Sequence, residues 1–416
     1  MTEKRKTLII GGGIIGGFCA WFLQQAGRQV TIVDRDDFGA GCSHGNCGYV
    51  SPSHVFPLTQ PGQVKRGLKG LFDRKAALTI RPRLSPSLWM WLLKFATRCN
   101  KRDMMSAGRA RNAILESSRQ LYEAIIEEHQ LQVEWKTDGL LFVFRDQKEF
   151  DHFAETDSIL KRDFGVAATP VDGAELQTLE PALKPGLAGA WHYRNDAHLR
   201  PDRMMAELKR LLLESGVEIL SDHELTGFRQ NHGMATAAQT SQGEIVADEF
   251  VVATGPTTPL LNRVLGCRIP IQPGKGYSIT MARPSVCPVY PMLLEEVHVG
   301  ITPFDSGYRI GSTMEFAGYD TQMRPERLAY LRNGAAEYLH EPTTEPVEEE
   351  WFGWRPMTWD GLPYIDRTPD MNNVWVAAGH NMLGLSMGTA TGKLIAEMMT
   401  DQQPHIDPSP YRIGRR

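Results

Sequence analysis

The stretch "LIIGGGIIGGFCAWFL", Leu8 to Leu23, decides the fold. Lys4, Arg5 and Lys6 precede it, giving the outline of a secretion signal or an anchor, but its glycines at 11, 12, 13, 16 and 17 cluster at one end. A signal would close on a small-residue cleavage site. This run instead continues through Gly27 into "QVTIVD". The pattern reads as a strand over Thr7–Ile10, a glycine turn, a helix over Ile14–Gln25 and a second strand over Gln29–Val33. That is a βαβ unit.

The spacing of the glycines has a physical reason. Gly11 permits the tight turn, Gly13 lets the backbone approach a pyrophosphate, and Gly16 lets the helix pack closely on the strand. The helix start, at Ile14 and Ile15, then offers unpaired N–H groups to phosphate oxygens. Asp34 stands at the tip of the second strand, with Arg35 beside it. A carboxylate there accepts hydrogen bonds from a ribose 2′-hydroxyl and repels the 2′-phosphate of NADP. The fingerprint by itself serves FAD and NAD equally, and a glycine-rich helix start without a ligand is the plain alternative.

Composition bounds the remaining classes. The chain has 416 residues, enough for two or three domains, and its net charge of −4 leaves no footprint for nucleic acid. The cysteines at 19, 42, 47, 99, 267 and 287 form no C-x-x-C pair, and none stands near histidines at zinc spacing, so no metal site is expected. Reduced thiols in a cytoplasmic protein are the simpler reading, with a disulfide or redox role for Cys42 and Cys47 as the alternative. Apart from the glycine-rich start, no apolar run reaches the length of a spanning helix. "PSLWMWLLKFATR", Pro86 to Arg98, opens with proline in its first turn and reads as a helix. Leu88, Trp91, Leu92 and Phe95 follow helical spacing, and Trp89, Met90 and Leu93 widen the apolar arc. It is either core or a membrane-facing or lid element.

Along the chain, the Gly, Ser and Pro-rich stretch Phe38 to Gly62 reads as a long loop, followed by helices to about residue 130. "DGLLFVFRD" is a strand, "RPDRMMAELKRLLLESGVEILSDHEL" a second helix-to-strand unit, and "DEFVVATGPTTPLLNRVLG" a buried strand ending near Gly255 with a helix behind it. "KGYSITM", "VHVGITPF" and "YRIGSTMEF" suggest an antiparallel sheet. "NVWVAAGHNMLGLSMGTATGKLIAEMMT" returns to strand, glycine loop and helix. The fold class is therefore α/β: a Rossmann-like nucleotide domain built from segments 1–85, 196–268 and 350–416. A substrate domain with helices and a mainly antiparallel sheet occupies 86–195 and 269–349.

In the order "GGGIIGG…TIVDR", "SHGNCGYVSP", "LKFATRCN", "KGYSIT", "GWRPMTWDGLPYID" and "AAGHNMLGLSMG", the chain resembles the D-amino-acid oxidase superfamily of FAD-dependent oxidoreductases. Within it, the resemblance is to the bacterial D-amino-acid dehydrogenase small subunits, over nearly the whole length. It implies FAD, held noncovalently. Ser43, Asn46 and Gly48 match the loop that wraps the flavin, while His44 and Cys47 depart from the family's small residues. His44 is offset from the histidine to which some relatives attach the flavin. Leu225, Gly255, Gly379, His380, Gly384 and Leu385 complete the implied cofactor set. The helix opening at Gly384 would face its N–H groups to the flavin's pyrimidine edge, where reduction places negative charge.

The resemblance assigns Arg355 of "GWRP" to the substrate carboxylate, which a guanidinium binds through two parallel N–H bonds. A structural salt bridge is the alternative. Tyr277 would add its hydroxyl to the same carboxylate, or be a buried sheet tyrosine, and His54 joins them as a catalytic candidate. His298, Thr302 and Glu315 are weaker pocket candidates. The implied reaction is hydride transfer from the Cα of a D-amino acid to the flavin, then hydrolysis of the imino acid to a 2-oxo acid and ammonia. Electrons pass to a quinone or other respiratory acceptor, with a possible partner subunit and a peripheral position on the inner face of the cytoplasmic membrane. The rivals are a D-proline or cis-4-hydroxy-D-proline dehydrogenase, an NAD-dependent dehydrogenase and a non-catalytic nucleotide-binding module.

Overall fold

The computed structural model describes residues 4–65, 77–81 and 83–415. Two sheets organise them. The first has six strands in the order Tyr364–Arg367, Val374–Ala378, Glu249–Val252, Lys6–Ile10, Gln29–Val33 and Glu218–Leu220. All neighbours are parallel except the outermost pair, Tyr364–Arg367 with Val374–Ala378. The central strand Lys6–Ile10 is buried from Thr7 onward, and the apolar run that suggested an anchor is burial inside a covered parallel sheet.

The helix Ile14–Gln25 packs against the helix Gly384–Met399 so closely that a Cβ on Gly392 would stand 2.5 Å from the carbonyl oxygen of Phe18. The long helix Lys101–His129 joins them: Tyr122 donates its hydroxyl to the Leu385 carbonyl at 2.8 Å, and Ser118 meets Thr389 at 2.7 Å. This helix was expected on the substrate side, yet Ile114, Leu115, Tyr122, Ile125 and Ile126 enter the same core as Phe18 and Leu394.

The second sheet is mainly antiparallel and runs Val347–Thr358, Ile271–Met281, Gly307–Phe316, Val299–Phe304, Met292–Leu294, Leu140–Phe144, Gly189–Tyr193 and Thr169–Asp172. Leu78–Ile80 pairs in parallel with Met314–Phe316. Two boundaries therefore move. Val347–Thr358 lies against Ile271–Met281 from Ile271↔Thr358 to Met281↔Val347. The nucleotide-side segment cannot open at residue 350, because its backbone hydrogen bonds there belong to the antiparallel sheet. The segment 1–85 likewise ends with a strand of that sheet. Residues 225–246 form a separate three-stranded antiparallel sheet. The helix expected behind Gly255 is a 3-10 turn over Gly255–Leu261, in which Pro259 lacks the N–H that an α-helix would direct to the Gly255 carbonyl.

Candidate active site

The first wall of the site is the turn after Lys6–Ile10. Gly11 has φ +113°, and a Cβ there would lie 2.5 Å from the Ala253 carbonyl oxygen. A Cβ on Gly16 would lie 1.8 Å from the oxygen of Gly11. Above Gly13 the nearest such atom is Ser43 Oγ at 3.4 Å, which leaves the space where a phosphate approaches. The Ile14 N–H donates to Ser43 Oγ at 3.0 Å, and no side chain of Gly13 caps the helix. Ile14 and Ile15 are buried and can serve a ligand only through their backbone.

Asp34 closes this end. Its Oδ2 accepts the Gly12 N–H at 2.6 Å and its Oδ1 the Asp36 N–H at 2.9 Å, while burial pushes its carboxyl upward. Arg35 is exposed and pairs with Asp36 at 3.0 Å. The Asp34 carbonyl accepts the His223 N–H at 2.8 Å, which brings Leu225 near, though the Leu225 side chain is buried in the core behind. Gly255 holds φ +54° at the turn beyond Glu249–Val252, adjoining Ala253. A complete glycine framework, an open approach above Gly13 and a carboxylate at the second strand's tip fit a dinucleotide.

The second wall is the loop Ser43–Gly48. Asn46 folds it rather than reaching outward: its amide donates to the Ser43 carbonyl at 3.2 Å and its oxygen accepts the Gly48 N–H at 2.7 Å. The antiparallel sheet fastens the loop from below. Arg309, 1% exposed, donates to the carbonyls of Asn46 at 2.8 Å and His44 at 3.3 Å. Ser278 Oγ donates to the Gly45 carbonyl at 2.7 Å, and Thr302 Oγ1 to that of Cys47 at 2.6 Å. The His44 ring pairs with Glu349 at 2.9 Å, which raises the imidazole's pKa and lowers the carboxyl's. Sequence reading missed Arg309 and Ser278. The available signal was a charged residue inside the apolar strand "YRIGSTMEF", since a buried cation needs several acceptors.

The third wall is the turn before Gly384. Gly379, with φ +86°, ends the strand Val374–Ala378, and Leu383 gives the helix Gly384–Met399 no side-chain cap. Ser386 Oγ donates to the Tyr49 carbonyl at 2.8 Å and receives the Ser51 N–H at 3.3 Å, tying the helix start, with Gly384 and Leu385, to the loop. His380 is buried, bonded to Thr391 Oγ1 at 2.9 Å, and burial pulls its pKa down to about 3. It is neutral at physiological pH and its ring turns into the core. Asn381, another unforeseen residue, takes φ +56° and accepts the Thr358 N–H at 2.9 Å, fixing this turn to the strand that carries Arg355.

Arg355 projects across Gly276. A Cβ there would stand 2.3 Å from Nη1, so only glycine leaves room for the guanidinium. Nη1 donates to the Thr313 carbonyl, which a bulge presents: the Ile271–Met281 and Gly307–Phe316 register shifts between Lys275 and Tyr277, and Ser312 and Thr313 take φ +108° and +54°. Such φ values in non-glycine residues are strained and persist where the surroundings hold them. Arg355 is half-buried, and among the described residues no carboxylate pairs with it. Beside it, the space above Gly274 is filled by Met357 and Met314, which pack with Trp91, Phe316 and Trp359.

Tyr277 is a correction. Side chains alternate along a strand, and Gly276 shares its face with Arg355, so Tyr277 points to the other face. There it packs with Leu328 and Leu331, and its hydroxyl donates to Glu315 at 3.0 Å. Glu315 in turn pairs with Arg81. Tyr277 and Glu315 thus belong to a closed set away from the guanidinium. His54 is also placed apart from Arg355: its ring meets Phe142 edge-on at 5.5 Å and its carbonyl accepts from Arg111 at 2.8 Å. Burial, with Arg111 nearby, lowers its pKa to about 4. His298 is exposed on a turn at φ +50°. Thr302 lies under the Ser43–Gly48 loop. All six cysteines are free thiols, and Cys42 Sγ donates to the Trp354 carbonyl at 2.7 Å.

A sequence profile of the DAO family, FAD dependent oxidoreductases, matches residues 6–398. The D-amino acid dehydrogenase of Granulibacter bethesdensis is 32% identical over 421 residues, covering 99% of each chain. Glycine oxidase from Geobacillus kaustophilus superposes with a TM-score of 0.80 at 21% identity, covering 100% of each chain. L-proline dehydrogenase from P. horikoshii superposes with a TM-score of 0.73 at 21% identity, covering 99% of this chain and 97% of that one. At such identities the two structures speak for the fold alone.

Proposed function

Because the chain belongs to the DAO family of FAD-dependent oxidoreductases, we propose that it oxidises D-amino acids to 2-oxo acids and ammonia and passes the electrons to a quinone or another respiratory acceptor. The observation that carries this reading is Arg355: a half-buried cation that no described carboxylate neutralises, aimed by a strained carbonyl and given space by Gly276. A half-buried guanidinium without an anion favours a carboxylate ligand, bound through two parallel N–H bonds. The D-amino acid dehydrogenases among the relatives support the choice of enantiomer.

FAD, when bound, supplies a two-electron acceptor for the hydride leaving Cα. Gly13, Ile14 and Ile15 would hold its pyrophosphate through the backbone, Asp34 its ribose, and the helix start at Gly384 and Leu385 the end of the ring that becomes negative. The pairing of His44 with Glu349 supports noncovalent attachment, since that ring already serves a carboxylate. Arg355 fixes the substrate's position and orientation. The methionine and aromatic wall beside it excludes water and receives the side chain. Catalysis by this chain is then mainly positioning, worth several kcal/mol in well-aligned reactions.

The test is anaerobic mixing of the purified protein with D-alanine, other D-amino acids, cis-4-hydroxy-D-proline, glycine and L-isomers, followed by the flavin spectrum. Bleaching by D-isomers alone is expected. Fastest bleaching by the hydroxyproline would reassign the protein to cyclic secondary amines, and a flavin that no D-isomer bleaches would overturn the proposal.

A further inference from the structure

A cavity of about 170 Å³, which Arg355 does not line, lies between the helix Lys101–His129, the end of the helix Gln147–Phe164 and the segments at Ser53 and Asp196. Its polar lining is Ser53, Asn112, Glu116, Tyr193, Asn195 and Asp196, and it includes no Lys or Arg. Glu116 and Asn195 are exposed and form its rim, whereas Tyr193 and Asp196 are 2% and 0% exposed. The reaction proposed above uses none of these groups.

Asp196 is a buried carboxyl without a paired cation. It accepts the Ser53 N–H at 3.0 Å and the Ser53 hydroxyl, and burial pushes it up to about 7. Arg119, the cation that bears on it, is already paired with Glu123 at 3.1 Å and lies over Trp135 at 4.8 Å. Tyr193 is an independent sign of a ligand, because its hydroxyl has no hydrogen-bond partner among the described residues. Asp157 bears on that hydroxyl most closely, but outside hydrogen-bond geometry, and its Oδ1 takes the Ala168 N–H at 2.8 Å. Asp196 and Glu295 add to the same negative field. The helix Gln147–Phe164 also ends on the cavity, at Phe164 and Gly165, and a helix C-terminus carries partial negative charge. A buried polar group left without a partner is costly, so such a site favours a ligand that satisfies it.

We infer that this cavity binds a monovalent cation of the size of potassium or ammonium. Asp196 supplies the charge, Tyr193 and the amides of Asn112 and Asn195 supply neutral oxygens, and Glu116 draws the ion to the rim. Oxygen ligands of this kind suit a hard cation, and the cavity has room for the ion with water beside it. Among the described residues no group of three or more His, Cys, Asp or Glu could hold a metal ion, which disfavours a divalent one. A zwitterionic amino acid would find no cation here for its carboxylate. The cavity also reaches the cofactor walls. Ser53 stands two residues from Ser51, whose N–H is held by Ser386 at the start of the helix Gly384–Met399. An ion that fixes Asp196, and Ser53 through it, therefore steadies the third wall. Ammonium is also a product of the reaction proposed above, but the inference does not rest on that reaction, and its test reads binding rather than turnover.

The full-length, flavin-loaded protein is dialysed into tetramethylammonium chloride and titrated separately with potassium chloride and ammonium chloride at constant ionic strength, with Tm and the rate of flavin release as readouts. A saturable rise in Tm of about 2 °C or more is expected, with slower flavin release, because a ligand of the folded state alone stabilises it. Saturation by potassium alone or by ammonium alone would support the site and name its ion. Asp196→Asn should abolish the response. Tyr193→Phe and, separately, Glu116→Gln test the same site should Asp196→Asn not fold. Tyr193→Phe should raise the half-saturating concentration about tenfold, and Glu116→Gln about threefold, while Tm in tetramethylammonium chloride stays near the native value. A Tm and a flavin release rate that do not change when potassium or ammonium replaces tetramethylammonium would overturn the inference and leave the cavity to water. An unchanged half-saturating concentration in Tyr193→Phe would overturn it equally, by placing the ion elsewhere.

Discussion

The strands Ile271–Met281 and Val347–Thr358 present two faces with similar residue types and opposite fates. On one face Tyr277, Glu315 and Arg81 satisfy one another, and Lys275 lies over Phe352 at 4.1 Å with its ammonium held by the Gln322 carbonyl. On the other, Gly276 clears space for Arg355, whose charge has no described carboxylate partner. Tyrosine, lysine, glutamate and arginine all look like catalytic material in a sequence. What separates a binding face from a supporting one is which group the fold leaves unsatisfied.

The largest effect expected from this contrast is at Arg355. Arg355→Leu should lower kcat/KM for D-amino acids by about a thousandfold or more, the loss of a charge-assisted bidentate pair, with flavin content unchanged. Arg355→Lys should recover little of it, because an ammonium lacks the planar fork. Steady-state kinetics beside the flavin absorbance measures both. Next is Gly276→Ala, whose Cβ would push on the guanidinium. KM should rise about tenfold or more while thermal stability changes less, since a displacement near one ångström is costly to aligned chemistry. A KM within twofold of the native value would mean that Arg355 does not hold the carboxylate in this position.

Tyr277→Phe should sharpen the comparison from the other side. Removing a buried hydroxyl that donates to Glu315 costs about 1 kcal/mol in chemical denaturation and leaves kcat and KM within about twofold. A tenfold fall in kcat would break the separation of the two faces. The smallest effect concerns the His44–Glu349 pair. The raised pKa of His44 contributes stability that is complete below its ordinary value near 6.5 and is lost as pH rises through the folded value. The depressed pKa of Glu349 contributes stability present above its ordinary value near 4.5 and lost as pH falls. Both contributions overlap between these values, and, for side chains each 35% exposed, the pair adds less than about 1 kcal/mol. Flavin retention should therefore weaken slightly from pH 6 to pH 8 in the native protein and stay level over that range in His44→Gln.

The legible parts of the sequence were those in which local chemistry and structure coincide. Gly11, Gly13 and Gly16 demanded a βαβ turn because each spacing answers one steric need, and the helix Pro86–Arg98 began at its proline as expected. Arg355 stood out through its motif. Tyr277 was misplaced because its role depended on the parity of a strand against a partner some seventy-five residues away in sequence, which pattern alone does not supply. The alternation within "KGYSIT" was nevertheless informative: Gly276 and Ser278 face the loop while Tyr277 and Ile279 face the core. Arg309 showed only as a charge inside an apolar strand, and Asn381 not at all, because their partners are a carbonyl and an N–H group of distant segments.

The link from Ser386 to Tyr49 and Ser51 joins the start of the last α-helix to the loop that follows the first two strands. A chain emerging from the ribosome must therefore keep its early glycine turn without its third wall until nearly all of the polypeptide has been made. Contacts of such long sequence separation form slowly, and a ligand that binds only the finished state stabilises only finished molecules. Flavin supply would then govern how much completed protein survives, rather than how fast its early segments fold.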